Sequence, residues 1–210
     1  MILISLDSSI VIANFGVALF DTSIHSDPYR CFLPIEQPEA FRKRVKIPLP
    51  VSPGKRLCRT GKRKGQMVDI PPDETGLLRS EILWDWALYT FDRFLERTDV
   101  VVLTESNTGK ASWANDPKIK AGRSKMMDLN RRANDWVLTV AYQHGFRIIE
   151  INPADKQMFP TPKDKRVNRI DNLAGISWRN GLTVAQCGHV ADAFYRAAEW
   201  ANWQKIRIDR

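Results

Sequence analysis

The apolar positions of this chain fall into two kinds of run, short unbroken stretches and longer stretches with helical spacing, which succeed one another along the sequence. Ile2 to Leu6 is apolar apart from Ser5 and stops on Asp7, which predicts a buried strand over 2–7. A second run covers 11–20, with Gly16 inside it marking a bend or a close backbone approach. A third strand falls at 29–35 or at 43–49. Pro28, Pro34, Pro38, Pro48, Pro50 and Pro53 leave that choice open. Residues 50–73 read as a loop or hairpin punctuated by Gly and Pro.

Helical spacing begins at about 74 and lasts to 97. Leu77, Trp84, Leu88, Phe91 and Leu95 form one stripe, and Leu78, Ile82 and Trp86 a neighbouring one. So broad an apolar surface suits a helix wedged between the sheet and the C-terminal segment, or one that adds a subunit contact. Val100 to Leu103 is a β-branched run of the kind found in central parallel strands, and it ends at Glu105. After a polar loop over 106–122, a second helix is expected over 124–144, stopped by His144-Gly145. Residues 146–151 give a fifth strand, a short helix is expected around 166–175, and the last helix covers 189–204. The order of elements predicts an α/β fold, a mixed five-stranded sheet flanked by α-helices.

Composition narrows the class. With 43% apolar residues, seven Trp and nine Phe, the chain can bury a core and is not of the disordered class. Its 210 residues suit a single domain, with an insertion at about 40–70 between the third strand and the first helix. The net charge of +8 is concentrated there. No Asp or Glu occurs between Ala40 and Val68, whereas Arg42, Lys43, Arg44, Lys46, Lys55, Arg56, Arg59, Lys62, Arg63 and Lys64 all do. A local block of this kind fits a polyanion-binding segment contacting backbone phosphates, although a charge run is also what a solvated face looks like. Lys110 and Trp113 follow Glu105, and Lys156 follows the fifth strand. Trp113 is a candidate for stacking on an unpaired base and Lys156 for touching a phosphate, though a core anchor and a surface lysine are the plainer readings. Cys31, Cys58 and Cys187 are odd in number and form no CxxC, as expected of reduced thiols. With no secretory leader and no membrane-length apolar run, the expectation is a cytoplasmic protein without membrane partners.

The chemistry gathers on four residues. Asp7 and Glu105 end strands, and His189 and Asp192, three apart, share one face of the last helix. Taken singly, these residues fit a turn, a solvent-facing strand end and a helix start equally well. Carboxylates and an imidazole converging from separate elements can hold divalent metal. Ile4-Ser5-Leu6-Asp7, the strand closing on Glu105, and His189-Val190-Ala191-Asp192-Ala193 resemble the Holliday-junction resolvases of the RuvC family, in the ribonuclease H-like superfamily. The resemblance follows the chain in element order and extends to phage-type members.

It implies a ribonuclease H-like fold in which Asp7, Glu105, His189 and Asp192 form the catalytic, metal-binding set. It further implies two Mg2+ ions, with Mn2+ as a substitute, and hydrolytic nicking of branched DNA. Four-way junctions are the expected substrate. The basic insertion widens that expectation to flaps and forks, and symmetric cutting implies a homodimer. A phage-encoded member would act in the host cytoplasm. This chain departs from the pattern in carrying Ser8-Ser9 where the family usually has Pro-Gly, and in His189 where aspartate is frequent. His189 is either a ligand or a proton-transfer group. A ribonuclease H acting on RNA–DNA hybrids and a catalytically silent DNA-binding protein of the same fold are the alternatives.

Overall fold

A computed structural model describes residues 1–25, 27–59, 61–105, 117–151, 170–172, 176–179 and 181–208. Five strands form one sheet: β1 (Ile2–Asp7), β2 (Gly16–Asp21), β3 (Phe32–Leu33), β6 (Val100–Glu105) and β7 (Arg147–Ile151), in the order β3-β2-β1-β6-β7. β1 to β3 are antiparallel neighbours, while β1, β6 and β7 run parallel, so the sheet is mixed as expected. β4 (Lys55–Leu57) and β5 (Met67–Asp69) make a separate two-stranded hairpin.

Strand alternation sorts the core into two layers. Ile2, Ile4 and Leu6 of β1, with Val100 and Val102 of β6, pack against α2 (Leu77–Phe91) and α3 (Pro117–Gln143). Leu3, with Val101 and Leu103, packs on the opposite side against α4 (Val184–Ile208). Asp7 continues the phase of Leu3, and Glu105 that of Val101 and Leu103. The period of two therefore turns both carboxylates toward α4 before any specific contact is considered. α4 lies across β1 and β2 and buries Val190, Phe194, Ala197 and Ala201 in that layer. α2 packs on this side of the sheet through Leu83, Trp86 and Phe91, and the indole of Trp86 donates to the carbonyl of Glu36 at 2.9 Å.

Several boundaries differ from the sequence expectation, each for a local reason. The third strand is at 32–33, not 43–49, because Pro38 opens a helix, α1 (Pro38–Arg44), in whose first turn a missing N–H costs nothing. This helix buries Phe41 and lies inside the basic segment, so the insertion follows α1 rather than preceding the first helix. α3 starts at Pro117, where the residues to 125 carry charge and no apolar stripe to betray a helix. α4 starts at Val184. Gln186 accepts from the Thr183 amide at 2.8 Å and Thr183 Oγ1 from the Gln186 amide at 3.3 Å, a reciprocal cap. His189 consequently stands in the second turn of α4 and is not a helix-start residue. Among the described residues, no helix is long and apolar enough to cross a membrane.

Candidate active site at the carboxyl ends of β1 and β6

Parallel pairing of Ile2–Ser5 with Val100–Leu103 sets the register, and carrying it two residues further brings Asp7 level with Glu105. Both strand ends are tied to α3 by one amide. Asn134 Oδ1, on a buried side chain, accepts from Ser8 Oγ at 2.5 Å and from Thr104 Oγ1 at 3.0 Å. The residues flanking the two acids are thus clamped to a common point. Ser8, standing where the resolvase pattern has proline, is engaged in that clamp rather than left in a loose turn. Asn130, one helical turn before Asn134, accepts from the Ile10 amide at 2.9 Å and holds the following segment.

From the other side α4 supplies His189, whose Nδ1 shares a 2.7 Å hydrogen bond with Asp7 Oδ2. The helix comes this close because Gly16, the β2 partner of Asp7, has no side chain. A Cβ there would stand 2.2 Å from the carbonyl oxygen of His189. Asp192 lies on the same helical face, three residues after His189, and is partly buried. One turn further on, that face carries Arg196.

Arg196 is the functional side chain that sequence reasoning missed. It is 2% exposed, its Nη1 donates to the Leu6 carbonyl, and its Nη2 lies 2.9 Å from Glu105 Oε2 and 3.8 Å from Asp7 Oδ1. Its Nε has no partner among the described residues. The spacing 189, 192, 196 was a readable signal, since these positions project from one face. A single Arg in a run of Ala and aromatics still looks like an ordinary surface residue.

The structure therefore joins Asp7 to His189 directly and to Glu105 through one guanidinium nitrogen. Carboxylate oxygens and an imidazole are donors that Mg2+ or Mn2+ accepts, so the residues fit such an ion in kind. In place, no group of three His, Cys, Asp or Glu is arranged to hold a metal among the described residues, and Arg196 occupies the space between Asp7 and Glu105.

The basic segment separates into two parts. On α1, Arg42 donates to Glu39 at 2.8 and 3.2 Å, Lys43 lies 3.4 Å from the same carboxylate, and Arg44 donates to Glu36 at 2.8 and 3.0 Å. The Arg42 hydrogen bond holds the carboxyl of Glu39 below its usual range. Arg44 also stacks 4.6 Å from the ring centre of Tyr89. Arg56 reaches Glu74 at 3.3 Å. The compensating acids that seemed absent lie just outside the acid-free segment and return to it through the fold. Lys46, Lys55, Arg59, Lys62, Arg63 and Lys64 make no ion pair with described residues, and the last four ride on or beside the hairpin turn. Lys110, Trp113 and Lys156 lie outside the described residues.

No protein-family model matches the sequence, and no curated protein matches it. Among solved structures, a Thermus thermophilus RuvC in complex with a Holliday junction substrate superposes with a TM-score of 0.52 and 15% identity, over 99% of this chain and 96% of that one. A further Thermus thermophilus RuvC structure gives a TM-score of 0.48 and 16% identity, over 99% and 97% of the two chains. Topology, layer order and this likeness agree: the chain has the RuvC-type, ribonuclease H-like fold.

Proposed function

We propose that the chain is a structure-selective endodeoxyribonuclease that nicks branched DNA, four-way junctions above all, by hydrolysis of a phosphodiester. The observation that carries this reading is the meeting of Asp7 and Glu105, at the ends of two adjacent parallel strands, with His189 in the second turn of α4. Support comes from the solved RuvC of the same fold, which holds a Holliday junction substrate.

Asp7, Glu105, His189 and Asp192 are the residues that would hold Mg2+ or Mn2+, two ions in the family's pattern. When bound, such ions supply an acidified water and charge neutralisation on the phosphoryl oxygens. The remaining chemistry belongs to the chain itself. Asp7 Oδ2 engages Nδ1 of His189, which orients the ring and leaves Nε2 as the atom that can hold or pass a proton. Arg196 balances the charge of the two strand-end carboxylates and keeps α4 against β1. The silent DNA-binding reading draws on the same residue, because a fixed guanidinium already neutralises part of the acidic set.

The deciding experiment is cleavage of junction, flap, duplex and RNA–DNA hybrid substrates with Mg2+ or Mn2+. Nicking of the junction in preference to linear duplex and hybrid is expected with both ions. Hybrid cleavage by a monomer would favour the ribonuclease H reading, and junction binding without any cut the silent one. Symmetric cutting of a four-way junction uses two sites, so the active form is proposed to be a homodimer.

The hairpin cations that make no ion pair among the described residues would bind backbone phosphates without reading sequence. Changing Arg59, Lys62, Arg63 and Lys64 together to Gln is expected to lower the slope of log affinity against log salt by about three to four. Arg44→Gln should leave that slope almost unchanged, since its charge is committed to Glu36. Fluorescence anisotropy with a labelled junction across a salt series measures both. An unchanged slope in the fourfold variant would place the DNA elsewhere.

A further inference from the structure

We propose that the exposed cross-strand pair Leu57 and Met67 recognises the branch itself. The pair would lie against the unstacked face of a base pair at a DNA branch point, while the cations of the hairpin turn hold the adjoining phosphates. The inference rests on the branched-DNA reading above and names the residues that give it selectivity for branches.

The hairpin has two unlike faces. Side chains alternate along β4 and β5, so Arg56, Cys58, Val68 and Ile70 share one face, and Lys55, Leu57, Met67 and Asp69 the other. The first is half-buried at Cys58, Val68 and Ile70, and Arg56 ties it to Glu74 at 3.3 Å, just before α2. On the second, Leu57 is 54% and Met67 59% exposed, directly opposite each other in register, and neither joins a core layer. One exposed apolar side chain is ordinary on a protein surface, whereas two side by side on the outer face of a ribbon form a contact surface.

Charge and position identify the occupant. Beyond the pair the chain turns tightly through Gly61–Arg63, and the amides of Lys64, Gln66 and Gly65 donate to the carbonyls of Gly61, Arg63 and Cys58. This closed turn presents Arg59, Lys62, Arg63 and Lys64, so a second copy of the hairpin would meet like charge and a polyanion would not. After the hairpin, the chain enters α2 at Gly76, where an added Cβ would stand 2.9 Å from Cδ1 of Ile10. Ile10 is three residues past Asp7. The hairpin is therefore rooted at the end of the sheet that carries the two strand-end acids, where a scissile phosphate would approach. DNA combines phosphates with apolar base faces, but a regular duplex hides those faces in its stack. Leu and Met are side chains that proteins use as wedges where stacking is broken, and a branch point breaks it.

The test reads binding and not turnover. Affinity of the full chain is measured without divalent ions, so that nothing is cut, by anisotropy of a labelled four-way junction and of a linear duplex of equal length. The wild type is expected to prefer the junction. L57S/M67S should lose about tenfold of that preference, the order of one base-stacking contact, with its duplex affinity and salt slope as in the wild type. L57M/M67L, which exchanges the two side chains, should keep the preference. The fourfold glutamine variant of the turn should weaken both substrates alike. The emission of 2-aminopurine beside the branch point should change when the wild type binds, and that of the same base within an arm should not.

An unchanged junction preference in L57S/M67S overturns the inference, as does an equal loss on junction and duplex. Loss of binding to vesicles of anionic phospholipid, with junction preference intact, assigns the pair to a membrane surface instead. If the wild type binds junctions through this pair yet nicks none with Mg2+ or Mn2+, the nuclease reading fails and the inference stands. If the wild type nicks junctions and L57S/M67S prefers them as strongly, the inference alone fails.

Discussion

Asp7→Asn is expected to lower nicking of a four-way junction by on the order of 10³-fold while leaving the protein folded. The substitution is nearly isosteric but removes a charge with two duties. Asp7 Oδ2 engages His189 Nδ1 at 2.7 Å, and Oδ1 faces the Arg196 guanidinium at 3.8 Å. An amide presents only one oxygen. If that oxygen keeps His189, the amide NH2 turns toward Arg196, and if it turns to Arg196, the histidine loses its orienting partner. Stability should change far less than activity, because Arg196 keeps its closer contacts to Glu105 and the Leu6 carbonyl.

Asp192→Asn should resemble Asp7→Asn in activity. Asp21→Asn is the control, since Asp21 caps β2 at the opposite end of the sheet, in register with Ile2. Its carboxyl, held below its usual range mainly by the Ser23 hydroxyl, serves a turn and not this site. Nicking assays paired with thermal melts decide the matter. Wild-type nicking by a folded Asp7→Asn protein would place the reaction at another set of residues.

What could be read from the sequence follows the physics of each signal. The strands ending on Asp7 and Glu105 were legible because continuous apolar runs have few other uses, and alternation then fixed the face that both acids take. Gly16 was legible as a close approach because glycine inside an apolar strand usually has such a cause, and here the cause is the backbone of His189. The start of α4 was misplaced because its first turn, Val184-Ala185-Gln186, lacks a buried stripe, although the Thr183–Gln186 cap was present to be noticed.

Arg196 and Asn134 were illegible for a different reason. A polar residue on a helix states that it is polar, not which face it shares with residues distant in the sequence. Only the packing of α4 and α3 onto the strand ends reveals that one neutralises the acids and the other ties their strands together. The pairing of Arg42 and Arg44 was hidden by the same limit on a smaller scale, because an acid-free window excludes Glu36 and Glu39 by where it begins.

Gly16→Ala is expected to cost both stability and activity, and the two losses should not be proportional. An added Cβ would lie 2.2 Å from the His189 carbonyl oxygen, 2.4 Å from its carbon and 2.9 Å from its Cβ. Two of those atoms are backbone of α4, so no rotamer change relieves the clash and the helix itself has to move. Overpacking of this kind costs roughly 1–3 kcal/mol, a shift that thermal denaturation resolves. A displacement near 1 Å at a reacting centre can lower turnover by about 100-fold.

Gly16 is paired in register with Asp7, so the movement separates Asp7 from His189 and Arg196 together. Activity should therefore fall further than the loss of folded protein at the assay temperature explains. Gly188→Ala is the matched control, one residue before His189 on the same helix, where an added Cβ meets nothing within 4 Å. It should keep full nicking activity and gain up to about 1 kcal/mol from the better helix former. If Gly16→Ala melted and cut like the wild type, the close seat of α4 on β2 would be wrong. The positioning of His189 against Asp7 would then need another explanation.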